Sequence, residues 1–559
     1  MPQDTPPADP VTAAHALLTV LAGHGVDRVF MVPGESYLDL LNALHDFPAI
    51  DVVSCRHEGG AGFMACADAR LTRRAAVLMV SRGPGASNAA ISVHTAQQDG
   101  VPLVLIVGQV ARRDLGRDAF QEIDYRQMYG SIAKWVFQVT DPAQVAEATF
   151  KALRVAESGA PGPVVLVLPE DVQHQPVPRP QWRAAALAQV VPAAGELQVL
   201  QSALQSAQRP LLIAGGAFEA PGGREALLAF AEQWGLPVAV SLRRHDIFPN
   251  RHPQFLGHLG HGYPPAVLEQ LQRCDLVLAI GTRLGDITTQ GFEFPRLPVP
   301  GQTLVHCHAD SRVVGWNFAP AQGLVCDPVA LLQLARPAAV PTARERFLGW
   351  AEQLHALFEK HSQWPPKKAA PNDGGPDGID FAQVVRELYA LAPADLVLCV
   401  DGGAFTVPAY RYVRYTPPQR LLGPLAGAMG YGVPAAVAAQ LRLPDRKVVC
   451  LVGDGGFMMN GNEMILAAER RLPILFILAN NASYGSIRVH QEQHYPGRTV
   501  GTNLHNPDFA ALAAAFGIRS RRIERDDEIA PALREGLAAD EPVFLDVRTS
   551  LQAILPRPR

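Results

Sequence analysis

The 559-residue sequence predicts an α/β protein with three domains, each built on a doubly wound parallel sheet. Three observations support this fold class. Short, almost wholly apolar runs recur along the chain, as expected for strands that are buried on both faces of a parallel sheet. Segments with helical spacing separate these runs. The length is sufficient for two to four domains with substantial cores.

The apolar runs fall into three blocks, which predict domains at 11–175, 193–340 and 378–550. No Gly-x-Gly-x-x-Gly follows a strand of the second block, so its sequence does not indicate dinucleotide binding. The predicted strands are 27–32, 51–55, 75–80, 103–107 and 164–168 in the first block, 210–216, 237–241, 275–280 and 303–306 in the second, and 447–452 and 473–479 in the third.

Composition argues against several classes of partner. The 49 Lys and Arg residues and the 53 Asp and Glu residues are scattered and give a net charge of −4, so we expect no nucleic-acid interface. No apolar run approaches the length of about 18 residues that a membrane span needs. The N-terminal segment is polar and proline-rich and lacks a signal-peptide core, which predicts a cytoplasmic protein.

The most informative motif is Gly-Asp-Gly-Gly at 453–456, which follows the strand predicted at 447–452. Asn480 and Asn481 follow the strand at 473–479, and Asn481 lies 27 positions after Asp454. A helix predicted at 462–471 would complete a βαβ unit, whose right-handed crossover sets the two strands side by side. Asp454 and Asn481 then meet at the carboxyl edge of the sheet, where such folds bind ligands.

These residue types suit a magnesium and phosphate site. A carboxylate and an amide oxygen are hard donors for Mg²⁺, and glycines let the backbone approach an anionic group closely. A Gly-Asp-Gly motif alone is more often an ordinary turn. The two apolar strands and the paired asparagines favour the ligand site.

The combination resembles the cofactor motif of thiamine diphosphate (ThDP)-dependent enzymes. The resemblance implies that Asp454, Asn481 and the backbone carbonyl of Ser483 hold Mg²⁺, which in turn holds the diphosphate. The order of the three blocks is similar to the pyrimidine-binding, central and diphosphate-binding domains of the acetolactate synthase-like branch. This resemblance covers the chain from about 11 to 548.

Glu58 is the candidate catalytic acid. It lies in Arg-His-Glu-Gly-Gly-Ala-Gly at 56–62, after a predicted strand and at the start of a helix, where a partly desolvated carboxyl group can share a proton. Alternatively, it is a first-turn acid that stabilises the helix dipole. The motif is similar to the His-Glu-x-Gly-Ala of ThDP enzymes, which implies that Glu58 bonds N1′ of the aminopyrimidine and promotes formation of a C2 ylide. We expect His57 to be structural or to support Glu58 from behind.

Two more catalytic assignments follow from the resemblance. Met429, in a stretch similar to the family's Gly-x-Met-Gly, is implied to support the bent cofactor, although a lone methionine is more often core filler. Gln121, in Phe-Gln-Glu at 120–122, is implied to point toward the reacting carbon. The remaining implied cofactor contacts are Pro33, Ser81, Pro84, Asn88, Gly402, Gly403, Ala404, Gly427, Gly455, Gly456, Tyr484, Gly485 and Ser486.

The resemblance implies decarboxylation of a 2-oxo acid through a ylide and an enamine, followed by carbon–carbon bond formation with an aldehyde or ketone acceptor. Pyruvate is the default donor. Three alternatives remain: a non-oxidative decarboxylase or aldehyde lyase, a C–C hydrolase on the same scaffold, and a non-catalytic binding protein. The presence of Glu58, Asp454 and Asn481 argues against the last of these.

Several positions depart from the synthases. His490 stands where they carry a substrate-selecting tryptophan, and Arg82 replaces a small residue. The segment 241–246 also differs from their flavin-side pattern, which makes FAD binding doubtful. The candidate substrate-pocket residues are Glu35, Phe120, Gln121, Arg488 and His490, although an arginine and a histidine exposed on a helix need have no function.

The resemblance also predicts the assembly. In the family, the first domain of one subunit faces the third domain of another. We therefore expect a homodimer or homotetramer with active sites between chains, to which Glu58 and Asp454 come from different protomers.

Overall fold

The computed structural model describes residues 9–181, 186–337, 339, 341–366 and 377–555. These residues form two compact units. The first contains the chain up to 188 together with two later segments, 437–442 and 460–466, and the second contains the remainder. The segment 460–466 brings a buried acid, Glu463, into the first unit.

The first unit contains a six-stranded parallel sheet and a short antiparallel pair. The strands are β1 (Val11–Thr12), β2 (Arg28–Met31), β3 (Asp51–Ser54), β4 (Ala76–Val80), β5 (Leu103–Gln109), β6 (Trp135–Gln138), β7 (Pro163–Pro169) and β8 (Pro176–Val177). The helices are α1 (Ala13–Gly23), α2 (Leu38–Leu44), α3 (Glu58–Thr72), α4 (Pro84–Asp99), α5 (Tyr125–Tyr129), α6 (Val145–Glu157) and α7 (Glu170–Gln173). The sheet order is β3-β2-β4-β5-β7-β6, and β1 pairs with β8.

Burial explains why these segments form a sheet. Strands β4, β5 and β7 are buried along their whole length, as their unbroken apolar sequences predict. Helices α3 and α4 pack so closely that position 62 has no room for a side chain. A Cβ atom added to Gly62 would lie 1.9 Å from Ser92 Oγ. This approach holds the start of α3, which carries Glu58, beside α4, which carries Asn88.

The second unit contains two further six-stranded parallel sheets. The strands of the first of them are β9 (Pro210–Ala214), β10 (Val238–Ser241), β11 (Phe255–Leu259), β12 (Leu276–Ile280), β13 (Thr303–His308) and β14 (Gln322–Val325), in the order β11-β10-β9-β12-β13-β14. The helices of this stretch are α8 (Ala194–Ser206), α9 (Gly223–Trp234), α10 (Pro265–Leu271), α11 (Pro328–Leu334) and α12 (Arg344–His361). Its core is a continuous cluster of buried apolar side chains from strands and helices.

The last sheet has the order β16-β15-β17-β18-β20-β19. Its strands are β15 (Val397–Val400), β16 (Arg420–Leu422), β17 (Val448–Gly453), β18 (Leu475–Asn480), β19 (Arg519–Ile523) and β20 (Val543–Arg548). The helices of this part of the chain are α13 (Phe381–Leu391), α14 (Val407–Arg411), α15 (Gly432–Arg442), α16 (Asp454–Asn460), α17 (Ile465–Glu469), α18 (Gly485–His494), α19 (Phe509–Ala515) and α20 (Asp526–Ala538). Strands β17 and β18 are parallel neighbours, with Gly453 opposite Ala479.

The predicted fold class is confirmed, since three six-stranded parallel sheets are covered by helices. The predicted side-by-side strands at 447–452 and 473–479 are also confirmed as β17 and β18. The helix predicted at 462–471 is shorter: a 3-10 turn over Gly461–Met464 precedes α17. The partly buried edge strands β6, β14 and β19 were not predicted. Strands β11, β15, β16 and β20 were missed too, although β11, β15 and most of β20 are buried: β15 and β16 are short, and polar residues or glycine interrupt the apolar runs of β11 and β20.

Within the part of the chain that the structure describes, no helix is both long enough and apolar enough to cross a bilayer.

Candidate functional site

Glu58 begins helix α3, directly after the loop that leaves β3. The preceding residue, His57, caps the helix, because its Nδ1 accepts a hydrogen bond from the backbone N–H of Gly59 at 3.0 Å. This contact fits the structural role expected for His57. The Glu58 carboxylate is held from the side: its Oε2 accepts a hydrogen bond of 2.9 Å from Asn88 Nδ2. The structure therefore brings together two residues that the sequence predicts for one site.

The loop after β4 closes around the same carboxylate. A Cβ atom at Gly85 would lie 2.7 Å from Ser81 Oγ and 3.3 Å from Glu58 Oε1, so this turn lies directly against both side chains. The loop after β2 lies against the loop after β4, since a Cβ atom at Gly34 would come within 2.4 Å of Ser81 Cβ. Strands β2 and β4 are neighbours at the point where the sheet order reverses, which is where open α/β sheets bind ligands. Pro33 and Glu35 are exposed in this loop, and Pro84 begins α4.

Arg82 supports the loop that carries Phe120 and Gln121. Its Nη1 donates to Glu170 Oε2 at 2.9 Å, and its Nε donates to the carbonyl oxygen of Phe120 at 3.3 Å. Gln121 has a φ of +66°, a left-handed conformation that costs energy for a residue with a side chain. Phe120 is 77% exposed. The departure from the synthases at position 82 thus contributes to the conformation of a predicted substrate loop.

Asp454 lies at the carboxyl end of β17, facing the turn that follows β18. Its Oδ2 accepts the backbone N–H of Asn481 at 3.2 Å, and its Oδ1 accepts the backbone N–H of Gly455 at 2.9 Å. Asn481 in turn accepts the backbone N–H of Ser483 through its side-chain oxygen at 3.0 Å. The three residues predicted to bind metal therefore lie in one hydrogen-bonded turn of the second unit. Glu58 belongs to the first unit.

Burial raises the pKa of Asp454, although the hydrogen bond from Asn506 and the nearby backbone N–H groups oppose the increase. A cation beside this carboxylate would relieve the cost of its burial. The group offers a carboxylate, an amide oxygen and a backbone carbonyl, which are hard oxygen donors of the kind that Mg²⁺ prefers. The chemistry of these donors fits the predicted ion.

Asn506 is a supporting residue that sequence reasoning missed. Its side-chain nitrogen donates to Asp454 Oδ2 at 2.8 Å and to Asn480 Oδ1 at 3.0 Å. It thus links both strand ends that form the candidate metal site. No local motif marks it, since it lies 52 positions from Asp454 in a loop before α19.

Asp401 opens the loop 401–405, which resembles the family's diphosphate loop, and it holds two predicted cofactor loops together, a role that was not predicted. Its buried carboxylate accepts backbone N–H groups of Gly402, Gly430 and Gly432 at 2.6 to 3.0 Å. These bonds hold the turn that carries Met429, which is partly exposed. Burial raises the pKa of Asp401 to about 6, against the lowering effect of the glycine N–H groups. In sequence, an acid followed by glycines resembles an ordinary turn, so no local pattern indicated that Asp401 joins the two loops.

Glycines in this region allow close contacts between its loops. A Cβ atom at Gly456 would lie 3.0 Å from Asp401 Oδ1, and one at Gly402 would lie 2.6 Å from the carbonyl oxygen of Gly427. A Cβ atom at Gly455 would lie 2.5 Å from the Tyr484 ring. A side chain at any of these positions would push the loops apart. The glycines thus permit close contact between these loops.

The remaining predicted contacts lie around the same sheet edge. Ser486 Oγ accepts the backbone N–H of Ala404 at 2.7 Å, which joins the loop after β15 to α18. A Cβ atom at Gly485 would lie 3.0 Å from Asn481 Nδ2, and Gly403 lies against the Phe405 ring. The structure thus groups these predicted cofactor contacts in the second unit.

Arg488 and His490 lie on α18. Arg488 pairs with Glu492 one turn further along the helix at 3.1 Å and donates to Asn503 at the same distance. His490 is exposed, and its ring lies near that of His494. Arg488 thus pairs within its helix and with the loop at Asn503. Burial chiefly lowers the pKa of His261, and nearby His490 contributes to that decrease.

The segment 241–246, whose sequence made flavin binding doubtful, uses its charges internally. Arg244 is buried and forms an ion pair with buried Glu219 at 3.3 Å. Its guanidinium group also lies against Gly216, after β9. These contacts neutralise the charge of Arg244 within the fold.

Comparison with protein-family models finds three matches along the chain. Residues 11–128 match the N-terminal TPP binding domain of thiamine pyrophosphate enzymes, residues 197–334 match their central domain, and residues 401–547 match their C-terminal TPP binding domain. Together these matches span most of the sequence.

Curated relatives and a solved structure show the same similarity. The chain is 31% identical to the acetolactate synthase large subunit of Parasynechococcus marenigrum (strain WH8102), over 96% of this chain and 87% of that protein. It is 31% identical to the acetolactate synthase isozyme 2 large subunit of Escherichia coli (strain K12), over 96% and 95%. The solved structure of a thiamine diphosphate-dependent 4-hydroxybenzoylformate decarboxylase from Rhodococcus jostii RHA1 aligns with a TM-score of 0.83 at 25% identity, over 97% of this chain and 99% of that one.

Proposed function

Because the chain belongs to the thiamine pyrophosphate enzyme family, and so is a ThDP-dependent enzyme, we propose that it decarboxylates a 2-oxo acid and joins the product to a carbonyl acceptor. The observation that carries the proposal is the pairing of Glu58 with Asn88 at the reversal point of the first sheet. A carboxylate presented there, with one oxygen held, is placed for proton exchange with a bound heterocycle. The similarity to acetolactate synthase large subunits supports pyruvate as the donor.

Asp454, Asn481 and the backbone carbonyl of Ser483 would hold Mg²⁺ and, through it, the cofactor's diphosphate. The loops at 402–404 and 453–456 would border that group, since their glycines leave the backbone accessible. Asp401 and Asn506 position these parts through hydrogen bonds. When bound, ThDP supplies an electron sink for loss of CO₂ from the substrate.

The chain's own side chains perform the proton transfers and the positioning. Glu58 would exchange a proton with the aminopyrimidine while Asn88 keeps its carboxylate in one orientation. Met429 stands between Gly427 and Gly430, both with positive φ, on the turn that Asp401 holds, and would support the cofactor. Gln121, on the loop fixed by Arg82, would contact the substrate.

A simple decarboxylase that releases an aldehyde is the second candidate. Two observations favour it: the similarity in structure to a 4-hydroxybenzoylformate decarboxylase, and His490 in place of the synthases' tryptophan.

We also propose that the functional division of the chain follows 11–175, 193–340 and 378–550, each of which contains one six-stranded sheet. All seven cysteines are buried and carry free thiols. A reducing compartment keeps thiols free, which supports a cytoplasmic location.

A panel of 2-oxo acids, supplied with ThDP and Mg²⁺, tests the proposed reaction. With pyruvate as donor we expect CO₂ release and a hydroxyketone product whose yield increases when an aldehyde or ketone acceptor is added. Product identification by mass spectrometry distinguishes the two candidates. Aldehyde as the sole product would favour the decarboxylase, and no turnover of any donor would contradict both.

We propose a homodimer, or a pair of dimers, with the active sites between chains. Apolar side chains next to Asp454 support a partner surface, since Met458 and Met459 on α16 and Ile487 on α18 are exposed in the single chain. Sedimentation at several concentrations, combined with activity measurements, should show activity only in the associated state. A fully active monomer would contradict this assembly.

Replacing Glu58 with Gln should slow cofactor activation by about 10² to 10⁴, the usual contribution of a positioned acid–base group. The amide retains an oxygen for Asn88 but cannot accept or release the proton. The measurement is deuterium exchange at the cofactor's C2 by NMR, with Glu147→Gln on the exposed face of α6 as the control. Exchange at the native rate in the Glu58 variant would remove this residue from the mechanism.

Replacing Asp454 with Ala should weaken ThDP binding in the presence of Mg²⁺ by more than about 100-fold, since even residues that only support metal ligands contribute 10–100-fold. Loss of the carboxylate removes the charged member of the donor set. Fluorescence titration at several Mg²⁺ concentrations measures the effect, and exposed Asp540→Ala serves as the control. Unchanged affinity with unchanged magnesium dependence would overturn the metal assignment.

A further inference from the structure

Glu463 is a buried acid beside the predicted catalytic residue, and the reaction described above gives it no role. It lies in the 3-10 turn Gly461–Met464 and is fully buried in the first unit. Its Oε1 accepts the backbone N–H groups of Arg56 and His57, each at 2.9 Å. These two residues immediately precede Glu58. Glu463 therefore fixes the backbone from which Glu58 projects.

The Glu463 side chain also lies against the first turn of α3. A Cβ atom at Gly60 would come within 2.7 Å of Glu463 Cγ and 2.8 Å of its Oε1. A residue without a side chain at position 60 permits this contact. The same acid thus contacts the chain on both sides of Glu58, at 56–57 and at 60.

The second oxygen of Glu463 indicates its protonation state. Among the described residues, the buried Oε2 has no hydrogen-bond partner. An ionised carboxylate with such an oxygen is costly, whereas the protonated acid carries no net charge. Burial is the main cause that raises the pKa of Glu463 to about 7, and the negative charge of Glu58 adds to the increase. The N–H groups of Arg56 and His57 and the Arg56 charge oppose it.

We propose that Glu463 is a positioning residue for Glu58: it anchors the backbone that leads into α3 and, as a neutral acid, leaves the negative charge at the start of that helix to Glu58. This inference rests on the proposed function, in which Glu58 exchanges a proton with the cofactor. Above neutral pH Glu463 ionises, and two like charges then lie beside the first turn of α3. The proton on Glu463 thus links the charge at the Glu58 site to pH.

The cofactor-free protein provides the first test. The substitution Glu463→Gln keeps an oxygen for the two backbone N–H groups but removes the titration. Because the pKa near 7 in the folded state exceeds the ordinary value of 4.5, the stabilising effect of the proton is fully present below pH 4.5 and is lost as pH rises through 7.

Between pH 4.5 and about pH 7, the unfolding equilibrium constant of the native protein should therefore rise about tenfold per pH unit relative to that of the variant. The total relative increase should be about two orders of magnitude. Urea denaturation over a pH series measures this difference. Exposed Glu352→Gln on α12 is the control and should keep the native slope. Equal slopes for the native protein and Glu463→Gln would overturn the inference.

Glu58→Gln gives a second, independent measurement if the Glu463 variant does not fold. Removing the like charge lowers the pKa of Glu463, so the pH-dependent change in stability should move to lower pH by up to about one unit. The double variant Glu58→Gln, Glu463→Gln should show no such change. If the pH-dependent change in stability of Glu58→Gln occurs at the same pH as in the native protein, the two acids are not coupled and the inference is contradicted.

Cofactor titration then separates this inference from the proposed function. The ThDP affinity of the native enzyme, measured by intrinsic fluorescence between about pH 6 and pH 8.5, should show an inflection near 7 that Glu463→Gln lacks. A native enzyme that does not bind ThDP would overturn the proposed function, while the unfolding measurements would still decide the role of Glu463. An identical inflection in both proteins would overturn the inference alone.

Discussion

Parallel pairing of β17 with β18 is the constraint on which the candidate metal site depends. The register places Gly453 opposite Ala479, so the two chains leave the sheet close together, at Asp454 and Asn481. The Asp454 carboxylate then reaches the backbone N–H of Asn481. A register shift of one residue would move Asp454, which follows β17, away from its position beside Asn481. The observed register therefore sets the position of the acid.

Close contacts at glycine positions hold the loops of both candidate sites together. In the first sheet the loops after β2 and β4 meet at Gly34 and Ser81, and in the last sheet Gly456 lies against Asp401. Each contact lies where the strand order of its sheet reverses. Loops that touch through glycine leave little room for rearrangement, so the polar groups they carry are oriented before a ligand binds. Such preorganisation reduces the entropy that binding would otherwise cost.

Local sequence patterns predicted the fold and marked Glu58 and Asp454 as candidate site acids, but they did not reveal the contacts between distant segments. Strands β17 and β18 were identified because their apolar runs are unbroken, whereas β19 is mostly exposed and carries three arginines. Glu58 and Asp454 each belong to a motif. Glu463 and Asn506 do not: the hydrogen bond between Glu463 and Arg56 spans 407 positions. An acid within a predicted helix suggests a solvated face, and only the tertiary structure shows that this one is buried.

Three buried acids, Asp401, Asp454 and Glu463, meet the cost of burial in different ways, although burial raises the pKa of each. Asp401 is surrounded by glycine N–H groups, so its charge is stabilised by the backbone and serves to join two loops. Asp454 also accepts backbone N–H groups and the Asn506 amide, but unlike Asp401 it lies beside the Asn481 side chain, which belongs to the predicted metal-binding set. Glu463 has N–H groups at one oxygen and no partner among the described residues at the other, which favours a proton. The groups that surround each carboxylate, rather than the depth of its burial, therefore distinguish a structural anion, a proposed metal ligand and a proposed neutral acid.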